Sequence, residues 1–267
     1  MTNTYSLQTR NGAFRVAVDG LADGPVLLFS NSLGTTLEMW EGQLAAFGST
    51  HRVVGYDSRG HGGSPAPAGP YSFNQLGADV LGIMDALGIE RAFFCGISMG
   101  GHTGLWLGVH APERFAGIAV CNSAAKIGTG QAWEERAGMV RQGGVAAMKE
   151  MAASAPQRWF TPDFVQARPD VVAAAQDMIA GIDPEGYAAC CDALGLSDLR
   201  PEQGRITVPT LLLAGESDPV TTVADAQAMH EAIAGSSLAS VPASHLSNLE
   251  APQAFNQALA RFISPLA

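Results

Sequence analysis

The segment Gly96-Ile97-Ser98-Met99-Gly100 places a serine between two glycines, and its flanking residues indicate the local fold. It directly follows the apolar run Ala92-Phe93-Phe94-Cys95 and opens a helical pattern. A strand, a sharp turn and a helix in this order form a nucleophile elbow, in which the serine hydroxyl stands clear of the sheet edge. Because the turn is tight and strained, a side chain two residues before or after the serine would collide with neighbouring atoms. We therefore interpret Ser98 as a nucleophile.

The composition is that of a globular protein with a substantial core and reduced cysteines. The chain has 267 residues, 47% of them hydrophobic, which fits one large domain or one domain with an insertion. The net charge of −10 argues against nucleic acid or an anionic membrane as a partner, and neither a membrane-spanning apolar run nor a signal-peptide pattern is present. Cys95 and Cys121 lie in apolar runs, Cys190 and Cys191 are adjacent, and no zinc-ligand spacing occurs. We expect a cytoplasmic protein without disulfides and without a metal.

Apolar runs alternate with helical patterns along most of the chain. An opening β-hairpin turns at Asn11-Gly12, and six further apolar runs predict strands at residues 26–29, 53–56, 92–95, 117–121, 210–214 and 238–241. Helical patterns lie between them at residues 73–87, 102–110, 224–233 and 253–262. This alternation predicts an α/β fold, with a mostly parallel eight-stranded sheet covered by helices on both faces.

The alternation stops between about Gln131 and Glu202. This stretch has no convincing strand, is rich in Ala, Met and Gln, and is punctuated by Pro156, Pro162, Pro169 and Pro184. It predicts a helical insertion, residues 131–202, that forms a lid over the carboxyl edge of the sheet. The core is then discontinuous and consists of residues 1–130 and 203–267.

Two residues after the predicted insertion are suited to activate the serine. A serine hydroxyl is a weak nucleophile unless a base takes its proton and an acid orients that base. On a sheet of this kind the order along the chain is serine, acid, histidine, each on a loop after a strand. Asp218 follows the run 210–214 and His245 follows the run 238–241, so we expect them to form a catalytic triad with Ser98. Glu216, nearer the strand end, is the second candidate for the acid.

The other histidines are less suitable as the base, because only His245 follows a strand into a loop at the expected edge. They are His51, His61, His102, His110 and His230. His61 belongs to the glycine-rich loop 57–64, whose charges and glycines predict a structural role below the site.

The tetrahedral intermediate of such a reaction needs N–H donors for its oxyanion. We expect one donor to be the backbone N–H of Met99, the residue after the nucleophile. The other should come from the loop 30–34 after the first buried strand, and by position it is the backbone N–H of Leu33.

On these residues the chain resembles the α/β-hydrolase superfamily over its whole length, and within it the 3-oxoadipate enol-lactonases of the β-ketoadipate pathway. The narrower resemblance rests on residues 30–35 (SNSLGT), 56–64 (YDSRGHGGS), 96–101 (GISMGG), 133–136 (WEER) and 158–161 (RWFT). The chain departs from the superfamily at Asn31-Ser32, where relatives usually carry His-Gly.

The resemblance implies a bacterial enzyme of aromatic-compound degradation that hydrolyses a small anionic substrate, a five-membered enol lactone bearing a carboxymethyl group. Ser98 would attack the lactone carbonyl with His245 as base and Asp218 as the orienting acid. Leu33 and Met99 would bind the oxyanion through their N–H groups. The resemblance implies neither a metal nor an organic cofactor.

An anionic substrate requires a local cation in a protein of this net charge, and an arginine fork suits a carboxylate. Arg136, three residues after Trp133 on one predicted helical face, is the first candidate and Arg158 the second. Both arginines could equally be surface residues of an amphipathic lid. Two other functions stay open: a broad carboxylesterase without a carboxylate anchor, and a non-catalytic ligand-binding protein of the same fold.

Overall fold

A computed structural model describes residues 3–266 of the chain. Its central element is one sheet of eight strands. In chain order they are β1 (Thr4–Thr9), β2 (Gly12–Gly20), β3 (Val26–Ser30), β4 (Arg52–Tyr56), β5 (Ala92–Ile97), β6 (Phe115–Cys121), β7 (Thr210–Gly215) and β8 (Ser237–Val241). Each overlaps a strand predicted from the sequence, and β1 and β2 form the predicted hairpin.

The strand order across the sheet is β1-β2-β4-β3-β5-β6-β7-β8. Strand β2 runs antiparallel to β1 and β4, whereas every neighbouring pair from β4 to β8 is parallel. The prediction of a mostly parallel sheet is therefore confirmed. The order reverses at β3, which has β4 on one side and β5 on the other, and such a reversal opens a crevice at the carboxyl ends of the strands.

Helices cover both faces of the sheet. They are α1 (Glu41–Phe47), α2 (Phe73–Ala86), α3 (Met99–His110), α4 (Gly130–Ser154), α5 (Pro156–Trp159), α6 (Pro162–Ala167), α7 (Pro169–Ala180), α8 (Pro184–Leu196), α9 (Val223–Ala232), α10 (Ser247–Glu250) and α11 (Pro252–Ile263). Short 3-10 turns lie at Leu37–Trp40, Pro112–Arg114, Gln203–Arg205 and Ser264–Leu266. Helices α2, α3, α9 and α11 confirm the four predicted helices, whereas α1 and α10 have no counterpart in the sequence prediction.

Strand β5 illustrates why an unbroken apolar run predicts a strand that is covered on both faces. All of its residues are buried. Phe93 and Cys95 pack into the same hydrophobic cluster as residues of α1 and α11. Phe94, with the opposite side-chain direction, packs into the cluster that contains residues of α2, α3 and α9. The sheet is therefore the middle of three layers.

Helices α4 to α8 lie between β6 and β7 in the predicted insertion 131–202, except that α4 begins one residue earlier, and this described segment contains no strand. Four prolines are the first residues of α5, α6, α7 and α8, where the missing N–H costs no hydrogen bond. Helix α4 packs against α7 and α8, and it changes direction at Gly144, whose φ of 54° is left-handed. That residues 131–202 form a lid apart from a core of 1–130 and 203–267 stays a prediction, and residues 1, 2 and 267 of that core lie outside the described residues.

The structure bears on the expectations about cysteines, membrane-spanning helices and metal-binding clusters. The four cysteines are buried and carry free thiols. No helix in residues 3–266 has the length and apolar character that crossing a membrane requires. Over the same residues, no group of three or more His, Cys, Asp or Glu side chains could hold a metal ion. The expectations of no metal and no cofactor themselves stay predictions.

His102, on α3, joins the helix after Ser98 to the loop after β6 and to the residue that follows α8. Its Nδ1 lies 2.8 Å from the carbonyl oxygen of Ala124, and its Nε2 lies 2.7 Å from Oγ of Ser197. Because a carbonyl only accepts, Nδ1 carries the proton and Nε2 accepts from the hydroxyl. Burial lowers the pKa of His102 to about 4, so the ring is neutral at physiological pH.

We predict that this neutral histidine makes the protein less stable as the pH falls from 6.5 to about 4. In that window the unfolded chain has protonated His102 and the folded chain has not, so the unfolded state binds more protons and stability rises with pH. His102→Gln should flatten this part of the profile, measured as the free energy of unfolding in urea at several pH values. The exposed His110, replaced by Gln, is the control. Equal slopes in the wild type and His102→Gln would contradict the prediction.

Candidate active site

Ser98 occupies the predicted elbow between β5 and α3. Its φ of 56° and ψ of −114° are strained for a residue with a side chain. A Cβ atom at Gly96 would lie 2.3 Å from the carbonyl oxygen of Gly100, and one at Gly100 would lie 2.2 Å from that of Ser30. Both glycines are therefore required by close backbone contacts, as the sequence predicts.

His245 and Asp218 meet behind this serine. His245 lies on the loop after β8 and Asp218 on the loop after β7, and the His245 Nδ1 atom is 2.8 Å from Asp218 Oδ2. The side chains are only 3% and 0% exposed. Since the carboxylate accepts from Nδ1–H, the Nε2 atom of His245 is left as the acceptor for a serine proton.

Asp218 is held in place by four donors besides His245. Its Oδ2 also accepts from Asn122 Nδ2 at 2.9 Å and Thr221 Oγ1 at 2.9 Å, and its Oδ1 accepts from the N–H groups of Val220 and Thr221 at 2.8 and 3.1 Å. Burial alone would raise the pKa of Asp218, but the charge and hydrogen bond of His245 and these further donors leave that pKa below its usual value. The carboxylate is therefore ionised and fixed in direction.

Ser98 and His245 line the same cavity, without a hydrogen bond between their side chains in the described residues. Glu216, the second candidate for the acid, is exposed, and its Oε1 accepts from Ser240 Oγ at 2.9 Å instead of from a histidine. The geometry therefore favours Asp218 over Glu216 as the partner of His245.

The two expected oxyanion donors lie where the strand-order reversal opens the crevice. Leu33 follows β3 and lines the cavity, and Met99 is the first residue of α3. Among the described residues neither backbone N–H has a hydrogen-bond partner. For Met99 this follows from its position, because the first N–H groups of an α-helix have no acceptor within the helix. Asn31 anchors this loop: its Nδ2 donates to the carbonyl of Tyr56 and its Oδ1 accepts from Trp40 Nε1, both at 3.0 Å.

The cavity has a volume of about 230 Å³ and brings residues of the insertion to the serine. Its lining includes the three predicted substrate-binding residues, Trp133, Arg136 and Arg158. It also includes Ser98 and His245 of the predicted triad and Leu33, a predicted oxyanion donor. Asp218 lies outside the lining, behind His245, and the Met99 side chain is buried elsewhere. Arg136 and Arg158 are both partly exposed and both line this cavity, and their role in substrate binding stays a prediction.

Arg136 and Arg158 have no carboxylate within 4 Å among the described residues. The guanidinium of Arg136 stacks on Trp133, 4.8 Å from the ring centroid, and Nη1 of Arg158 donates to Ser154 Oγ at 3.3 Å. Burial lowers the pKa of Arg158, and the Arg136 cation lowers it further. Two like charges therefore share one cavity wall with only neutral partners, which favours an anionic ligand.

A larger and more open depression of about 600 Å³ lies between Pro70 and Leu196. Its single arginine is already paired with two carboxylates, because Arg141 contacts Glu185 at 2.9 Å and Asp192 at 2.6 Å. It contains neither the serine nor the histidine of the elbow site. The smaller cavity is therefore the candidate active site.

Asn122 is a functional candidate that the sequence reasoning missed. It follows β6 directly with a left-handed φ of 43°, donates to Asp218 and also donates to the Ser244 carbonyl at 3.1 Å. It thus ties the acid to the loop that carries His245. Its position at a strand end, the same signal that identified Asp218, is the feature by which it could have been found.

Comparisons with known proteins agree with this architecture. Residues 25–252 match the sequence profile of the family described as alpha/beta hydrolase fold. The chain is 50% identical to 3-oxoadipate enol-lactonase 2 of Acinetobacter baylyi over 95% of this chain and 94% of that protein. It is 43% identical to 3-oxoadipate enol-lactonase 1 of the same organism over 100% of both chains. The crystal structure of the enol-lactonase from Burkholderia xenovorans superposes with a TM-score of 0.94 at 41% identity, covering 97% of this chain and 100% of that one.

The chain therefore belongs to the α/β-hydrolase family, with the fold that the sequence resemblance implied. Its similarity to enol-lactonases extends over nearly its whole length, and it is a hydrolase that acts on ester bonds.

We predict that Asp218→Asn lowers kcat by roughly 10⁴-fold, because the amide cannot hold the His245 tautomer that accepts the serine proton. Glu216→Gln, two residues away on the same loop, should change kcat less than about threefold, since an exposed side chain outside the network contributes little. Steady-state kinetics on any ester that the wild type cleaves measures both variants. The reverse ranking would transfer the acid role to Glu216.

Proposed function

We propose that this chain hydrolyses 3-oxoadipate enol-lactone to 3-oxoadipate, through a triad of Ser98, His245 and Asp218, in the degradation of aromatic compounds. The similarity to two 3-oxoadipate enol-lactonases supports this substrate. The observation that carries the proposal is the pair of arginines without acidic partners in the cavity of the nucleophile. The substrate of those relatives has an ester carbonyl for the serine and a carboxylate for the arginines.

The acylation step follows from the orientation of His245. Its Nε2 atom takes the proton of the Ser98 hydroxyl while Oγ attacks the lactone carbonyl, and Asp218 stabilises the imidazolium that forms. The negative charge that develops on the carbonyl oxygen is bound by the free N–H groups of Leu33 and Met99. When the ring C–O bond breaks, the enol oxygen takes the proton from His245.

The deacylation step uses the same groups in reverse. The enol is still attached through the acyl chain, and its conversion to the ketone removes the group that could close the ring again. His245 then takes a proton from water, which attacks the acyl-enzyme, and Ser98 Oγ leaves with that proton. The products are a free serine and a second carboxylate.

The arginines bind the substrate carboxylate in this proposal, with Arg136 as the first candidate and Arg158 beside it. The Trp133 ring under Arg136 holds its guanidinium plane without neutralising it. Because α4 and α5 supply these residues, the insertion 131–202 acts as the lid that completes the binding cavity. A broad carboxylesterase is the alternative; the apolar part of the wall, formed by Ile127, Trp159 and Ile179, would suit it.

We predict that the wild type turns over the enol lactone with a kcat/KM at least about 100-fold above that for uncharged 4-nitrophenyl esters, as an ion pair formed in a closed site contributes on this scale. Ser98→Ala should lose several orders of magnitude in kcat on both substrates. The assay follows the loss of the enol-lactone chromophore and the release of 4-nitrophenol. Preference for the uncharged esters would favour the carboxylesterase.

We predict that Arg136→Met raises KM for the enol lactone by about 10- to 100-fold, because the buried substrate carboxylate would lose its first partner and keep only Arg158. Turnover of an uncharged ester of similar size should change little, since the triad is untouched. Arg141→Met is the matched control, because this arginine lies on the same helix but outside the cavity. Equal losses on both substrates would make Arg136 structural, and no loss on either would direct the same test to Arg158.

A further inference from the structure

His61 is a buried histidine that the proposed mechanism does not use. It lies in the glycine-rich loop 57–64 after β4, and the residue is 1% exposed. Its Nε2 atom is 2.9 Å from the backbone nitrogen of Gly34, and its Nδ1 is 3.1 Å from the carbonyl oxygen of Arg59. Both ring nitrogens therefore contact backbone, and one contact is to the residue directly after Leu33.

The chemistry of these two contacts fixes the tautomer. The Gly34 N–H only donates, so Nε2 must be the acceptor, and the Arg59 carbonyl only accepts, so Nδ1 must carry the proton. A doubly protonated ring could not make the first bond. Burial lowers the pKa of His61 to about 4, which keeps the ring in the neutral state that this arrangement needs.

The Gly34 N–H belongs to the turn that presents Leu33. Thr35 N donates to the carbonyl of Ser32 at 3.2 Å, which makes Leu33 and Gly34 the two central residues of a β-turn. Gly34 has a φ of +83°, the left-handed value found at the third position of type II turns. The bond to His61 holds the central peptide of that turn, so it selects this turn geometry over the alternatives.

The backbone segment that accepts the hydrogen bond from His61 Nδ1 is fixed by an ion pair and by packing against α8. The Arg59 guanidinium donates to both carboxylate oxygens of Asp79, at 2.7 and 2.6 Å, and both side chains are largely buried. At the next residue a Cβ on Gly60 would lie 2.7 Å from Gly186 in α8, so the loop is pressed against the insertion. The acceptor atom is thus fixed relative to the sheet.

We propose that His61 is a positioning residue for the oxyanion-binding turn: its Nε2 acceptor fixes Gly34 and thereby the orientation of the Leu33 N–H. The inference rests on the proposed role of Leu33 as an oxyanion donor. Without an acceptor, the Gly34 N–H would be a buried donor without a partner, so the turn would rearrange to satisfy it. Binding of the ground-state ester needs little from this turn, whereas the tetrahedral intermediate depends on it.

The test compares His61→Leu with His61→Gln. Leucine fills the space without an acceptor, whereas the Oε1 atom of glutamine can take the place of Nε2. His61→Leu should lower kcat by about 10- to 100-fold, as a misplaced oxyanion donor does. Its KM should change less than about twofold, and its affinity for a boronic acid that forms a tetrahedral adduct on Ser98 should fall by the same factor as kcat. His61→Gln should restore kcat to within about threefold of the wild type.

His51→Leu is the matched control, because His51 is also buried but precedes β4 at the opposite edge of the sheet. It should lose stability while keeping kcat per folded molecule. A His61→Leu variant that keeps kcat and boronate affinity, or a His61→Gln variant as slow as it, would overturn the proposal.

The outcome does not depend on the natural substrate. The kinetics are measured on 4-nitrophenyl acetate as well as on the enol lactone, since the oxyanion requirement is the same for every ester. Failure to cleave the lactone would contradict the proposed function alone, whereas unchanged kcat on the acetate would contradict the role of His61 alone.

Discussion

The close backbone contact around Ser98 is the constraint on which the site depends. Helix α3 begins directly after a residue with left-handed φ, and Gly100 touches the carbonyl at the end of β3. This contact requires that β3 and β5 be neighbours with Ser30 opposite Gly96. The same adjacency brings the turn after β3 beside the first N–H of α3. One steric requirement thus aligns the proposed nucleophile, the crevice and both proposed oxyanion donors before any substrate is present.

The positions of residues that directly follow a strand can be predicted from the sequence. Ser98, Asp218 and His245 each follow a recognisable strand, and parallel strands deliver their carboxyl ends to one edge. The sheet and the pairing of Asp218 with His245 could therefore be predicted without coordinates, whereas the catalytic triad itself stays a proposal. Asn122 could have been found by the same reasoning, since it follows β6 directly.

Other features depend on contacts between residues far apart in sequence, which local pattern does not specify. The convergence of Arg136 and Arg158 on one wall requires the packing of α4 and α5, and no periodicity of a single helix predicts it. The hydrogen bond from the Gly34 N–H to His61 joins two loops through residues that are 27 positions apart in the sequence. Helix α1 was not predicted, because seven residues are too few to show a clear helical periodicity of apolar residues.

The four prolines at the starts of α5, α6, α7 and α8 have a consequence for the unfolded chain. Helices α5 and α6 have only 4 and 6 residues, lengths at which an isolated helix does not form in water. Each proline restricts φ near its helical value even when the chain is unfolded, so less conformational entropy is lost on folding. The insertion, which has no sheet of its own, thus gains order partly through the limited freedom of its denatured ensemble.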